Sequence, residues 1–360
     1  MILGVDYDDY RARDRIPALD GLRALAVTAV VTWHLPGAPL GRLNGYRGVW
    51  VFFVISGYLI TTLSLREEDK RGQVSIKGFF ARRTHRILPL YYLALAATCV
   101  WVFALGHKPD FEGTLPAYLV YVQEFPIFRH NFALPLGQAW SLGIEELFYV
   151  VWPIFGFMLF TRSRWRPSAT VALTVACLVL MVADHGLAQF WGSLADILFG
   201  CIIALALHNR AFYARVAFLG RVGIAWAAVG VLAVAEVLSV TDSQPVERLY
   251  SVVALVAITA VVLCPTGPST VLSWRPLVYI GTLSYGIYLF HFMSLAVADK
   301  IVPDGGRAMQ LLVFPVTMAI TIPVCAALHK WFEKPLIARG RRMAAKWKTP
   351  AVVPAAVPAI

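Results

Sequence analysis

Apolar residues in this chain fall in long unbroken runs, not in the short alternation of strands or the one-sided stripes of surface helices. Ten runs, near 18–36, 47–65, 87–106, 141–160, 168–184, 190–208, 222–240, 249–265, 277–297 and 310–330, are long enough to cross a bilayer, which takes about 17–25 helical residues. In hydrocarbon every backbone group must be satisfied within its own segment, so such runs are helices. An eleventh run, Leu115 to Phe125, is too short and is interrupted by Gln123 and Glu124 before Pro126; it reads as interfacial or re-entrant. The pattern predicts an all-α, polytopic transmembrane bundle of about ten spans with no soluble domain. A short N-terminal segment, 1–16, precedes a transmembrane domain over 17–335. A basic tail rich in proline and alanine follows at 336–360, and its end after Lys348, TPAVVPAAVPAI, is expected to be disordered.

Composition supports this reading. Of 360 residues, 59% are hydrophobic and only 15% charged, whereas a soluble domain is closer to a quarter charged. Residues 1–15 mix acidic and basic groups without an apolar core, so no cleavable signal peptide is expected and the first span itself directs insertion. The formal net charge is +11. With ten spans and both termini cytosolic, most of the 32 basic residues fall on the cytosolic side, as the positive-inside rule requires. Making Leu115–Phe125 a span would reverse that bias. The charge therefore points to membrane flanking and to no nucleic-acid partner. Five cysteines, Cys99, Cys177, Cys201, Cys264 and Cys325, lie within or beside apolar runs without metal-type spacing. They are read as packing residues, and no metal site is expected.

Against this apolar background the ionisable residues stand out, because charges inside a span are costly and mark functional positions. The first run, PALDGLRALAVTAVVTWHL, carries Asp20, Arg23 and His34. Arg23 and His34 are eleven residues apart, which at about 100° per residue returns them to one face, about 16 Å apart along the axis. On the ten-span topology Arg23 sits at the cytosolic end and His34 in the outer part. Ser141, Glu145 and Glu146 enter from the outer side of the fourth span, and Tyr285, Tyr288 and His291 lie along the ninth. A basic cluster, Arg82, Arg83, His85 and Arg86, precedes the third span; a helix there puts Arg82 and Arg86 on one face with Arg83 adjacent.

The arrangement suits a long anionic donor. Arginines bind phosphates bidentately and remain charged, so Arg23, Arg82, Arg83 and Arg86 are candidates to hold the phosphates of coenzyme A at the cytosolic mouth. The thioester would then lie near His34, whose imidazole is suited to take a proton from an attacking hydroxyl. Glu145 would fix its tautomer or stabilise the imidazolium. Asp20, Ser141, Tyr285 and His291 are further candidates for substrate contact.

The motifs, taken in order, resemble the acyltransferase 3 family of integral membrane acyltransferases. Arg23 and His34 match its Arg-x10-His pattern, GVWVFFVISGYLI at 48–60 its GVxxFFxxSGFLI, and WSLGIEELFYVVWP at 140–153 its WSLxxEExFY. FFARRTHRILPLYY at 79–92 is similar to its arginine block, and LADILFGCIIALA, LSYGIYLFHF and FEKP complete the series. The chain departs from the family at Trp50, where Asp is frequent, at Leu147, where Gln is frequent, and before Asp196, where a basic residue is replaced by Ser193 and Leu194. The resemblance implies ten spans, a coenzyme A thioester as co-substrate with no permanently bound cofactor, an essential His34, and functional roles for Arg23, Arg86 and Glu145. The expected activity is transfer of a short acyl group, most simply acetyl, to a hydroxyl of a carbohydrate-containing acceptor such as a cell-envelope glycan or glycolipid. Acylation of a secondary metabolite, for example a macrolide or its sugar, is the alternative acceptor. A transporter or flippase is the alternative class, though neither internal repeats nor matched broken helices occur. The expected location is the plasma membrane.

Overall fold

A computed structural model describes residues 5–35, 44–104, 111–123, 125, 136–238, 244–303 and 305–347. The chain from 348 onward, where the disordered tail was expected, lies outside the described residues. In chain order the helices are α1 (Tyr7–Ala12), α2 (Pro17–Trp33), α3 (Gly48–Arg71), α4 (Ile76–Ala104), α5 (Phe111–Leu119), α6 (Trp140–Trp152, continued as a π-helix over Pro153–Leu159), α7 (Arg166–Ala183), α8 (Ala188–His208), α9 (Arg210–Val216), α10 (Val222–Leu238), α11 (Gln244–Leu263), α12 (Pro268–Leu272), α13 (Arg275–Ile301), α14 (Arg307–Leu328, continued as a π-helix over His329–Glu333) and α15 (Lys334–Lys346). No strand occurs among the described residues.

All ten apolar runs are helical. Seven helices are long and apolar enough to span a membrane, and eight if α9 and α10, bent by 78°, are taken together. The remaining two runs are α2, 17 residues long, and α11, 20 residues long. Leu115–Phe125 does not cross as one helix. There α5 has nine residues with Pro116 inside it, and the chain turns through Tyr121, whose φ of 60° is left-handed. Two tyrosines of α4 fasten this segment: Tyr91 donates to the Tyr118 carbonyl at 2.8 Å and Tyr92 to that of Leu119 at 2.9 Å.

The bundle is assembled from intimate helix pairs, with α3 on α8, α2 on α13, α7 on α8, α13 on α14 and α15 on α4. The α3–α8 contact is backbone to backbone. A Cβ on Gly57 would lie 1.9 Å from the Ile197 carbonyl oxygen, and one on Gly200 would lie 2.1 Å from that of Val54. Small residues permit this approach where lipid offers no hydrophobic drive for helix association. The end of α3 is tied to α7 by a buried ion pair: Arg166 donates to both oxygens of Glu68, at 2.9 and 2.7 Å. Both side chains are buried, and Glu68 also accepts from the Arg162 backbone N–H at 2.9 Å.

Candidate active site

Five helices deliver the polar groups that the bundle cannot expose to lipid. Arg23 comes from α2, Ser56 from α3, Arg83 and Arg86 from α4, Ser141, Glu145 and Tyr149 from α6, and Tyr285 and Tyr288 from α13. All nine line one cavity of about 130 Å³. Glu145 accepts from the Ser56 hydroxyl at 2.8 Å. Arg83 lies over the Tyr149 ring at 5.4 Å and the Phe79 ring at 5.7 Å. Tyr285 donates to the Ile87 carbonyl at 3.0 Å. Arg23 has Asp20 at 3.9 Å, yet its buried Nε has no hydrogen-bond partner. Among the described residues, three guanidiniums thus face a space whose lining includes a single carboxylate, Glu145. An excess of buried positive charge is expensive unless an anion completes it.

His34 opens on a second cavity, of about 340 Å³, with Trp33, Tyr46, Gln138, Trp140 and Gln189 in its wall. The helix α2 stops one residue before it: His34 is the C-cap, with φ −85° and ψ 3°. Its Nδ1 lies 2.8 Å from the Val30 carbonyl oxygen. A carbonyl only accepts, so Nδ1 carries the proton and the lone pair of the neutral ring is on Nε2. The ring rests against Phe292 at 4.4 Å and His291 at 5.1 Å between centroids. His291 is fully buried. Its Nδ1 donates to the carbonyls of Tyr288 at 2.8 Å and Ile287 at 3.2 Å, and its Nε2 has no partner.

Among the described residues the two cavities share only Val49 and Tyr288. The Tyr288 hydroxyl donates to the Gln138 carbonyl at 2.6 Å, so its one proton is committed. The Ser141 hydroxyl, 2.7 Å away, must then donate to the phenol oxygen. Gln138 returns the contact, its amide nitrogen lying 3.1 Å from the carbonyls of both Tyr288 and Leu289.

Several expectations from sequence need correction. Glu145 does not partner His34: it lines the arginine cavity and is held by Ser56, while the Val30 carbonyl of the histidine's own helix fixes the imidazole tautomer. Arg82 lies one turn from Arg86 on α4 but does not line the arginine cavity. It is drawn off by Glu67 of α3, at 2.8 Å, and the pair that faces the cavity is Arg83 and Arg86. Asp20 lines neither cavity; its carboxylate is taken by Arg15 at 2.6 Å. Ser141 and Tyr285 do line the arginine cavity, and His291 sits behind His34. Gln138, Tyr149, Ser56 and the pivotal position of Tyr288 were not singled out. Tyr285, Tyr288 and His291 recur every three residues, so a stripe along α13 was available as a signal. Nothing marked Gln138, in a short 3-10 turn before α6.

Comparison with known proteins agrees with the motifs. The family model of the acyltransferase domain matches residues 16–330. Among curated proteins the chain is 30% identical over 378 residues to "Putative peptidoglycan O-acetyltransferase YrhL" of Bacillus subtilis, covering 94% of this chain and 59% of that protein. It is 28% identical over 372 residues to peptidoglycan O-acetyltransferase OatA of Listeria monocytogenes, covering 91% and 57%. The chain spans about three fifths of the length of the curated relatives it matches. No solved structure matches it.

Proposed function

We propose, from the premise that this chain belongs to the acyltransferase 3 family, that it transfers a short acyl group, most simply acetyl, from acyl-coenzyme A to a hydroxyl of a cell-envelope glycan. One observation carries the reading: a cavity lined, among the described residues, by three arginines and a single carboxylate shares Tyr288 and Val49 with a second cavity that holds a histidine whose basic lone pair is on Nε2. Coenzyme A is an anion with a narrow arm ending in a thioester. Arg23, Arg83 and Arg86 suit its charge, and bidentate guanidinium contacts to phosphate are among the stronger polar interactions. The small volume of the arginine cavity suits the pantetheine arm and the diphosphate end that meets the guanidiniums, with the adenosine outside. Positive-inside flanking favours the cytosol, where acyl-coenzyme A is made, as the side of donor entry. The glycan acceptor rests on the relatives, whose names specify peptidoglycan.

In the proposed reaction the acceptor hydroxyl gives its proton to His34 Nε2 as its oxygen attacks the thioester carbonyl carbon. The tetrahedral intermediate collapses with cleavage of the C–S bond, and the departing thiolate recovers the proton from the imidazolium. The Nδ1–H bond to Val30 holds the ring for this exchange. Glu145 offsets part of the arginine charge and is not a partner of the base. The Ser141 hydroxyl donates to the phenol oxygen of Tyr288, which favours direct transfer over a serine-bound acyl intermediate.

The test is to supply [acetyl-14C]-coenzyme A to membranes with and without the protein and to fractionate the label. Base-labile acetate on envelope glycan, dependent on the protein, is the expected result. Consumption of no acetyl-coenzyme A would refute the donor, and label on a diffusible small molecule would refute the glycan acceptor.

A further inference from the structure

The wall between the two cavities is built unlike the rest of the site. Among the described residues the two linings have one ring and one isopropyl group in common, Tyr288 and Val49, and the ring is held at its far end by the hydroxyl contacts to Gln138 and Ser141, at 2.6 and 2.7 Å. Tyr288 is itself buried, only 6% exposed, so it is covered on both faces. Its latch is nonetheless replaceable. One bond is donated to a backbone carbonyl, the other accepted from a serine, and a carbonyl oxygen arriving from the arginine side would offer Ser141 an equivalent acceptor. Exchanging one hydrogen bond for another costs little net free energy, whereas leaving either group buried and unmatched costs about 1–3 kcal/mol.

We infer that Tyr288, latched by Ser141 and Gln138, is an aperture that separates the arginine cavity from the His34 cavity until the carbonyl end of a thioester displaces the latch, and that Val49 with Tyr288 sets the size of acyl group admitted. The inference rests on the acyl-coenzyme A reading for its ligand. The barrier itself does not depend on that reading. Closed, the aperture keeps the water of one cavity from the other and so protects the thioester from hydrolysis. Open, it passes the acyl end alone, because the arm behind it stays among Arg23, Arg83 and Arg86. His291 couples to the same residue: its Nδ1–H is spent on the Tyr288 carbonyl, which anchors the backbone while the side chain turns.

Two arms test this on the full-length protein in oriented vesicles. In the first, Ser56→Cys places a thiol in the arginine cavity and a membrane-impermeant thiosulfonate is added from either side, with the parent protein as background for the native cysteines. Labelling is expected from the Arg86 side only. Tyr288→Ala is expected to add labelling from the His34 side at least tenfold faster than in the parent, and Tyr288→Phe, which keeps the ring and loses the latch, is expected to fall between. Labelling of Ser56→Cys from both sides with Tyr288 intact, or no change in either Tyr288 variant, would overturn the aperture. If Tyr288→Ala does not fold, the phenylalanine variant decides. In the second arm, Val49→Ala is expected to raise the ratio of butyryl- to acetyl-coenzyme A turnover about tenfold, the scale on which apolar pockets discriminate methylenes. An unchanged ratio would overturn the size-setting role. Should wild-type protein turn over no acyl-coenzyme A, the donor reading fails, and the labelling arm still decides the barrier.

Discussion

Replacing His34 with alanine separates the chemistry from the scaffold. The substitution removes one hydrogen bond, that from Nδ1 to Val30 at 2.8 Å, and two ring contacts, to Phe292 and His291. A net hydrogen bond contributes about 0.5–1.5 kcal/mol and the aromatic pair with Phe292 about as much, so these two together hold roughly 1–3 kcal/mol of the fold. That is well below typical total stabilities of about 5–15 kcal/mol. A lost general base costs about 10²–10⁴-fold in rate, or roughly 3–5 kcal/mol of barrier at 1.36 kcal/mol per decade. Donor affinity should hold, because the arginines line the other cavity, Arg23 about 16 Å down α2 and Arg83 and Arg86 on α4. The assay is acetyl transfer in membranes across a range of acetyl-coenzyme A concentrations, beside thermal unfolding of the detergent-solubilised protein. The expected outcome is kcat down at least a hundredfold, an unchanged KM for the donor, and a melting temperature lower by a few degrees. Transfer within tenfold of wild type would remove His34 from the chemistry. A raised donor KM with unchanged kcat would make it a binding group.

Arg86→Ala should raise the donor KM about 10–100-fold, the value of a charge-assisted hydrogen bond of about 1.5–3 kcal/mol, while Arg82→Ala, which breaks only the partly exposed pair with Glu67, should change it little. Steady-state kinetics on both variants check this, and equal effects would restore Arg82 to the site. Arg166→Met should destabilise the protein by about 3–5 kcal/mol by stranding Glu68 in the interior, and Glu68→Leu together with Arg166→Met should recover much of the loss. Chemical or thermal unfolding of the two single variants and the pair gives the coupling, and additive effects would show that the ion pair is not a unit.

The bundle was legible because hydrocarbon allows few choices: ten runs of sufficient length became ten helices, and Leu115–Phe125, too short and too polar, did not become an eleventh span. Arg23 and His34 belong to one stretch of chain, Arg23 within α2 and His34 at its C-cap, yet they line different cavities. What the sequence did not carry is azimuth between helices. Glu145 and His34 were placed at similar depth, and depth is readable, but the direction in which α6 presents Glu145 depends on its packing and on the turn at Gly137–Ala139 that starts it. Arg82 was misassigned for the same reason. The spacing of 82 and 86 is as good a helical pair as that of 83 and 86, and only the neighbouring helix, through Glu67, chooses between them. From sequence Tyr288 reads as one of several packing tyrosines, and only the packing of α13 against its neighbours brings it into the linings of both cavities.

The contact of α3 with α8 bears on the arginine cavity. Ser56 precedes Gly57, the residue whose missing side chain lets the Ile197 carbonyl approach, and Ser56 is the group that holds Glu145. The carboxylate is therefore referenced to a junction of two main chains, which cannot creep as interlocking side chains do. A rigid datum of this kind lets a membrane enzyme keep its charges in register while lipid pressure and thickness vary around it. It also makes Gly200, a residue that touches none of the chemistry, a point where one added methyl group would reset the electrostatics of the pocket.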